Sequence, residues 1–341
     1  MSITVTDSRQ QLERLVETSL QACKSWLGED IEGGLRVIDP VDDEAIVSHY
    51  GDSHLAAALV ILGQIRNDSD MFNQGLRLVR TVVRDWQTSL MFGDFHHDFN
   101  NFALCLIEEC LKGVSSELPR DIRKLVLSTP DSSHDTINWL PMRAYANRSR
   151  YDWTGEKRYL EASHRSLETI RRATNDDGGI EDRLPVGSSY NLQYNVSSLA
   201  ALQLMSRRWP SLGLDLGRGL DFLLGCVLPD GDINYMGRGT NQIFAWGPWL
   251  YATSFAEKDG ALKSALGFLS DRYARAAHNK NILLNDFPGR EKSFWARSPK
   301  TGFDRALQPG PRRQQRAGTL QLDASFKERR VPARRRRVCL L

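Results

Sequence analysis

The chain has 341 residues, 41% hydrophobic and 26% charged, a composition that supports a large buried core and excludes a disordered or fibrous chain. No apolar run approaches the roughly 18 residues that a membrane-spanning helix needs, so no membrane partner is expected. The net charge of +3 is uneven: residues 299–341 hold twelve Lys or Arg against three Asp or Glu, so a basic tail masks a mildly acidic body.

The N-terminal stretch Met1–Arg9 has neither a basic start nor an apolar core, so no secretory signal is read and the cytoplasm is the expected location. Helical periodicity then governs the chain as far as residue 276. Leu12, Leu15, Val16, Leu20 and Cys23 fall on one face of a first helix. Leu55–Ile65 and Met71–Trp86 form a helical pair joined by Arg66–Asp70, whose Asn and Asp suit a turn or cap. Phe99–Leu111 has a weaker partner at Arg120–Leu127. Three further pairs follow: Trp139–Arg148 with Lys157–Ala173, Val196–Arg208 with Leu214–Val227, and Gln242–Phe255 with Ala261–Ala276. The pairs recur roughly every 45–55 residues, within the looser end of helical-repeat periods, and alternating β-branched runs are nearly absent. An all-α array built from helical pairs is expected over residues 1–298.

The connections between pairs are polar and glycine-rich, and each runs into an apolar helix. The first, Gly93-Asp-Phe-His-His-Asp-Phe-Asn-Asn-Phe-Ala, places His96, His97, Asp98, Asn100 and Asn101 at a helix start, with His97 and Asn101 four apart and so on one face. Helix capping and core packing are the plain alternative for these residues. In the second, after Asp176-Asp-Gly-Gly, Tyr190 and Tyr194 are again four apart, with Asn191 and Asn195 beside them. Such tyrosines serve as core or as catalytic hydroxyls. The third runs from Asp230 to Gly247. There Arg238 stands between two glycines and suits a bidentate grip on a carboxylate. Asn241 and Gln242 extend that lip, and Trp246 can stack on a sugar face or fill the core. Two weaker lips are His49, Tyr50 and His54, and Ser133, His134 and Asp135. Lips of this kind, gathered at one end of a helical array, make a site out of many separate loops.

Five cysteines without CxxC or Cys/His spacing read as reduced, mostly buried thiols, and neither an HExxH string nor a compact carboxylate cluster is present. No metal and no cofactor are therefore expected. From Ser298 onward the chain turns rich in Pro, Gly, Gln and Arg and ends in Arg334–Arg337 followed by Val-Cys-Leu-Leu. This reads as a disordered basic extension or as the product of a shifted reading frame. It lacks the aromatic interleaving of a nucleic-acid binder, so no nucleic-acid partner is expected.

Helical hairpins with polar loops at inner-helix starts resemble the (α/α) toroids of carbohydrate-active enzymes, and the order of polar residues is most similar to polysaccharide lyases of the heparinase and chondroitin-lyase kind. The resemblance covers about residues 40–280. It implies an all-α (α/α) toroid, either an incomplete or a six-hairpin barrel, acting on an acidic, uronate-containing poly- or oligosaccharide by β-elimination. It carries over Asn101 (or Asn100) with His97 (or His96), then Tyr190 (or Tyr194), then Arg238 as the catalytic set, with Asn191, Asn241, Gln242 and Trp246 on the substrate. The chain differs from those lyases in placing His before Asn and in encoding no C-terminal β-sandwich. It also resembles the unsaturated glucuronyl hydrolases, which share the toroid and lack the sandwich; Arg238-Gly-Thr-Asn-Gln partly echoes their Arg-Gly segment. That resemblance implies hydrolysis by aspartates, with Asp94, Asp98, Asp177, Asp182 and Asp232 as candidates. A helical-repeat scaffold that binds protein or glycan without turning it over is the non-catalytic alternative.

Overall fold

The computed structural model describes residues 5–30, 33–38, 50–88, 96–114, 116–134, 136–184, 186–187, 191–237, 245–255, 259–276, 283–285 and 292–293. Among them run eleven α-helices: α1 (Val5–Lys24), α2 (Gly51–Arg66), α3 (Ser69–Gln87), α4 (His97–Cys110), α5 (Leu118–Ser128), α6 (Leu140–Thr154), α7 (Lys157–Ala173), α8 (Leu192–Arg208), α9 (Gly217–Gly225), α10 (Trp246–Phe255) and α11 (Asp259–Ala276). The helical pairs expected from periodicity are all present. Their ends moved where caps decided them. Asn191 accepts the backbone N–H of Tyr194 and so starts α8 four residues before its apolar face begins. Likewise, Asn67 closes α2 in the left-handed conformation (φ 53°) and Asp68 caps α3 through the N–H of Met71.

Two classes of helix alternate along the chain. α3, α5 and α7 each carry one apolar face and one charged face, as outer helices must. By contrast, α2, α6 and α8 are covered on most sides, polar residues included. These buried helices pack in sequence, α2 on α4, α4 on α6, α6 on α8 and α8 on α10, and form the inner row. Each outer helix returns beside its inner partner. The tightest return is α2 to α3, where a Cβ on Gly75 would lie 2.7 Å from Val60 Cγ2 and 2.9 Å from its backbone nitrogen. The array is not an open solenoid: α1 packs against α11, so the first and last helices among the described residues meet.

Two short hairpins depart from the all-helical expectation. β1 (Leu27–Glu29) pairs with β2 (Leu35–Val37), and β3 (Leu283–Asn285) with β4 (Lys292–Ser293), both antiparallel. Strands of two or three residues are too short to show an alternating pattern. The first hairpin is fixed by a buried ion cluster. Arg36, 5% exposed, donates to Asp85 at 2.8 and 3.0 Å, to Asp52 at 3.3 Å and to Asp30 at 3.0 Å. Asp52 also accepts the Val37 N–H at 2.7 Å, and Arg84 reaches Asp30. The start of α2 and the end of α3 are thereby locked to one strand.

Candidate active site

The starts of the inner helices lie together at one end of the ring. At α2, Tyr50 stacks on Phe99 of α4 with centroids 4.8 Å apart, and Phe99 meets Trp139, just before α6, edge-on at 5.5 Å. His134 adds a further edge contact to Trp139 at 5.6 Å, and His54 and His96 stand 5.2 and 5.5 Å from the Tyr50 ring. Three helix starts are joined in this way by one aromatic cluster. Both histidines are held neutral: burial pushes His54 and His96 down to about 4, with His97 adding to the effect on His96. Nδ1 of His54 lies 2.9 Å from the carbonyl of Tyr50, which can only accept, so that nitrogen carries the proton.

Next to Phe99 in the first turn of α4 is Asp98, 1% exposed. It accepts from Nε and Nη2 of Arg143 on α6 at 3.1 and 3.0 Å and from the backbone N–H of Ser132 at 3.3 Å. Arg143 in turn donates to the carbonyls of Ser132 and His134 at 2.9 and 2.6 Å, so one guanidinium fixes the carboxylate and the loop before α6. Burial outweighs that pairing and pushes Asp98 up to about 6, with Asp131 adding to the rise. A carboxyl of this kind exchanges a proton near neutral pH.

Arg143 also faces a hollow of about 840 Å³, whose wall includes Asp131, Thr136, Leu140, Asp182 and Tyr194. Tyr194 brings the α8 lip to this site; burial pushes the Tyr50 hydroxyl up, and Tyr194 lies near enough to add to that rise. The loop before α10 joins α8 directly. Leu192 N–H donates to the Met236 carbonyl at 3.3 Å, and Gly237, at φ 98°, approaches Asn191 so closely that a Cβ would lie 2.7 Å from its Cα.

The sequence-predicted residues divide into three groups. Tyr194 lines the hollow, His96 touches the aromatic cluster, and His97 is half-buried on α4. Asn100, Asn101, Asn191 and Trp246 are all buried. Asn100 accepts from Ser53 Oγ at 2.6 Å and donates to the His96 carbonyl at 3.0 Å, tying α2 to α4. Asn101 is fully buried, and its amide has no hydrogen-bond partner among the described residues. Asn191 caps α8 through its side-chain oxygen, its Nδ2 having no hydrogen-bond partner among the described residues, and Trp246, 2% exposed, stacks on Phe268 at 4.9 Å inside the second core cluster. Tyr190, Arg238, Asn241 and Gln242 lie outside the described residues, as do Asp94, His49 and Asp135. Of the other aspartates, Asp177 is exposed in a turn and Asp232 caps the N–H of Asn234 at 2.8 Å. Among the described residues no group of three or more His, Cys, Asp or Glu could hold a metal ion.

The placement of Trp246 has a direct check. Trp246→Ala should cost about 3–5 kcal/mol of stability, as for other buried tryptophans. Urea unfolding would show it; a sugar-stacking residue on an open face would cost far less and would lower affinity instead.

Solved structures share this architecture. An unsaturated glucuronyl hydrolase of Streptococcus agalactiae, an aspartate-to-asparagine variant bound to dGlcA-GalNAc6S, superposes with a TM-score of 0.59 at 11% identity, covering 87% of this chain and 90% of its own. The chain is an (α/α) toroid. A D-mannose isomerase superposes with a TM-score of 0.57 at 12% identity, covering 86% of this chain and 95% of that one. A glycoside hydrolase family 76 mannosidase of Bacteroides thetaiotaomicron gives 0.52 at 10% identity, over 81% and 90%. At these identities the likeness is one of fold. No protein-family model matches the chain, and no curated protein matches it.

Arg143 and Arg36 are the residues that sequence reading missed. Each had a signal: an arginine set inside an apolar stretch, Trp-Leu-Pro-Met-Arg-Ala-Tyr-Ala and Leu-Arg-Val. A buried guanidinium demands a carboxylate partner, and the partners lay in distant segments.

Proposed function

We propose that the protein is a glycoside hydrolase acting on an acidic oligosaccharide, with Asp98 as the residue that gives or takes the proton at the glycosidic oxygen. What carries the reading is a single arrangement: a buried carboxyl pushed up to about 6, at the start of an inner helix next to Phe99 of the aromatic cluster, and paired with an arginine that lines a sugar-sized hollow. Hydrolysis would break the sugar–oxygen bond, with Asp98 protonating the leaving oxygen and water supplying hydroxide to the sugar carbon. Asp182, half-buried on the hollow's wall, is the candidate second carboxylate. The toroids it resembles in shape are, by their names, two hydrolases and an isomerase that act on sugars.

β-Elimination is the second reading, because Tyr194 lines the same hollow as Arg143. In it a tyrosine would serve the proton transfer and Arg238 would neutralise the uronate carboxylate. The two chemistries have opposite optical signs. Incubated with an unsaturated uronyl disaccharide, a hydrolase consumes the ultraviolet chromophore of the double bond. With an intact uronate polymer, a lyase creates it. Loss of absorbance is the expected result; gain of absorbance would replace hydrolysis by elimination, and no change with either would remove both.

A further inference from the structure

The hollow lined by Arg143 has an electrostatic character that goes beyond proton transfer. Its walls include three guanidinium groups, those of Arg143, Arg165 and Arg183, and two carboxylates, Asp131 and Asp182. Arg143 and Asp131 are already engaged within the protein. Arg143 is spent on Asp98, and Asp131 accepts from Arg150 at 2.5 Å and from Asn147 at 2.7 Å. Arg165, on the exposed side of α7, and Arg183, in the exposed segment after it, have no ion-pair partner among the described residues. Arg165 and Arg183 therefore bring two cations to the wall of a space large enough for a saccharide unit.

The rest of the lining suits a sugar. Thr136 and Thr169 bring hydroxyls, and Leu140 and Leu184 bring apolar surface for ring faces. Ser166 gives its proton to the Ala162 carbonyl at 3.1 Å, which leaves its oxygen free to accept from a sugar hydroxyl. Guanidinium forks match the planar or tetrahedral oxygens of carboxylate and sulfate, and they do so best where apolar walls lower the local dielectric.

We infer that this hollow is a saccharide subsite for a unit bearing a sulfate or carboxylate, and that Arg165 and Arg183 select for that unit. The inference rests on the reading of this hollow as a glycosidase site and names the substrate class of that same site. The two groups sit on α7 and on the segment following it, so the subsite lies toward the outer row rather than on the axis of the ring.

Calorimetric binding of three probes tests it: a sulfated uronyl–hexosamine disaccharide, its unsulfated counterpart, and neutral mannobiose. The expected result is that wild type binds the acidic probes at least about tenfold tighter than mannobiose, a margin that shrinks with added salt. The double variant R165Q/R183Q should lose that tenfold preference and leave mannobiose binding unchanged, with its circular dichroism spectrum intact. A loss confined to the sulfated probe assigns the subsite to sulfate; an equal loss on both acidic probes assigns it to the carboxylate. Equal binding of all three probes by wild type, or an unaltered preference in the double variant, overturns the inference. Turnover is scored apart: acidic-probe binding that depends on the two arginines but leads to no cleavage would sink the hydrolase reading and leave the subsite standing.

Discussion

Replacing Asp98 by asparagine should lower turnover by about 10²–10⁴-fold, the usual loss when one proton-transferring group is removed. Asparagine is nearly the same shape and can still accept from Arg143 or from the Ser132 N–H, so the loop before α6 keeps its anchor. The pH profile gives the expected sign. As a proton donor Asp98 must be protonated, and because burial raises it to about 6, the rate falls as pH rises through that value. The variant should lack this limb altogether. Turnover within threefold of wild type, on a substrate that wild type cleaves, would leave Asp98 as a structural anchor only. A stability measurement must accompany the assay, because the substitution also leaves the Arg143 guanidinium without its counter-charge.

The largest stability effect is expected at Arg36. Arg36→Met keeps most of the side-chain volume but withdraws the charge around which Asp30, Asp52 and Asp85 are gathered. Removing one partner of a buried ion pair typically costs about 3–5 kcal/mol, since the other is left uncompensated. Arg84, which touches Asp30 and Asp85, offsets part of this, and Asp52 has no such reserve. Burial already pushes Asp52 up to about 7 against the pull of Arg36. Its folded-state value exceeds the unfolded one, so the folded form binds the proton more tightly and stability falls as pH rises from about 4 to 7. Without Arg36 that rise in pKa grows, and the deficit of the variant should be greater at pH 8 than at pH 5. Urea unfolding at the two pH values measures it. A loss under about 1 kcal/mol, equal at both, would mean that the cluster contributes nothing net.

Much of the fold was legible because helical periodicity is written residue by residue. Leu12, Leu15 and Leu20 mark α1, and the turn at Arg66–Asp70 marks the boundary between α2 and α3. The alternation of covered and one-faced helices is also a property of the sequence, and it separates the inner row from the outer. Closure is different: the meeting of α1 with α11 depends on the sum of small rotations at each hairpin, which no local pattern records. At the site, the lips were found from their composition, but roles within a lip were not. In sequence Asn100 looks like a ligand-binding amide, and only its distances to Ser53 and to the His96 carbonyl show that its hydrogen bonds are already used. Trp246 misled for the same reason, because a tryptophan at a helix start suits a stacking platform and a core equally well.

The contact between α1 and α11 changes how the molecule should come apart. A linear stack of hairpins can fray from either extremity, one unit at a time, with little effect on the middle. A hoop has no such free extremity: loosening any one hairpin strips both neighbours of a flank. Amide hydrogen exchange along the helices should therefore rise in concert as denaturant is added, with no gradient running inward from the first and last segments.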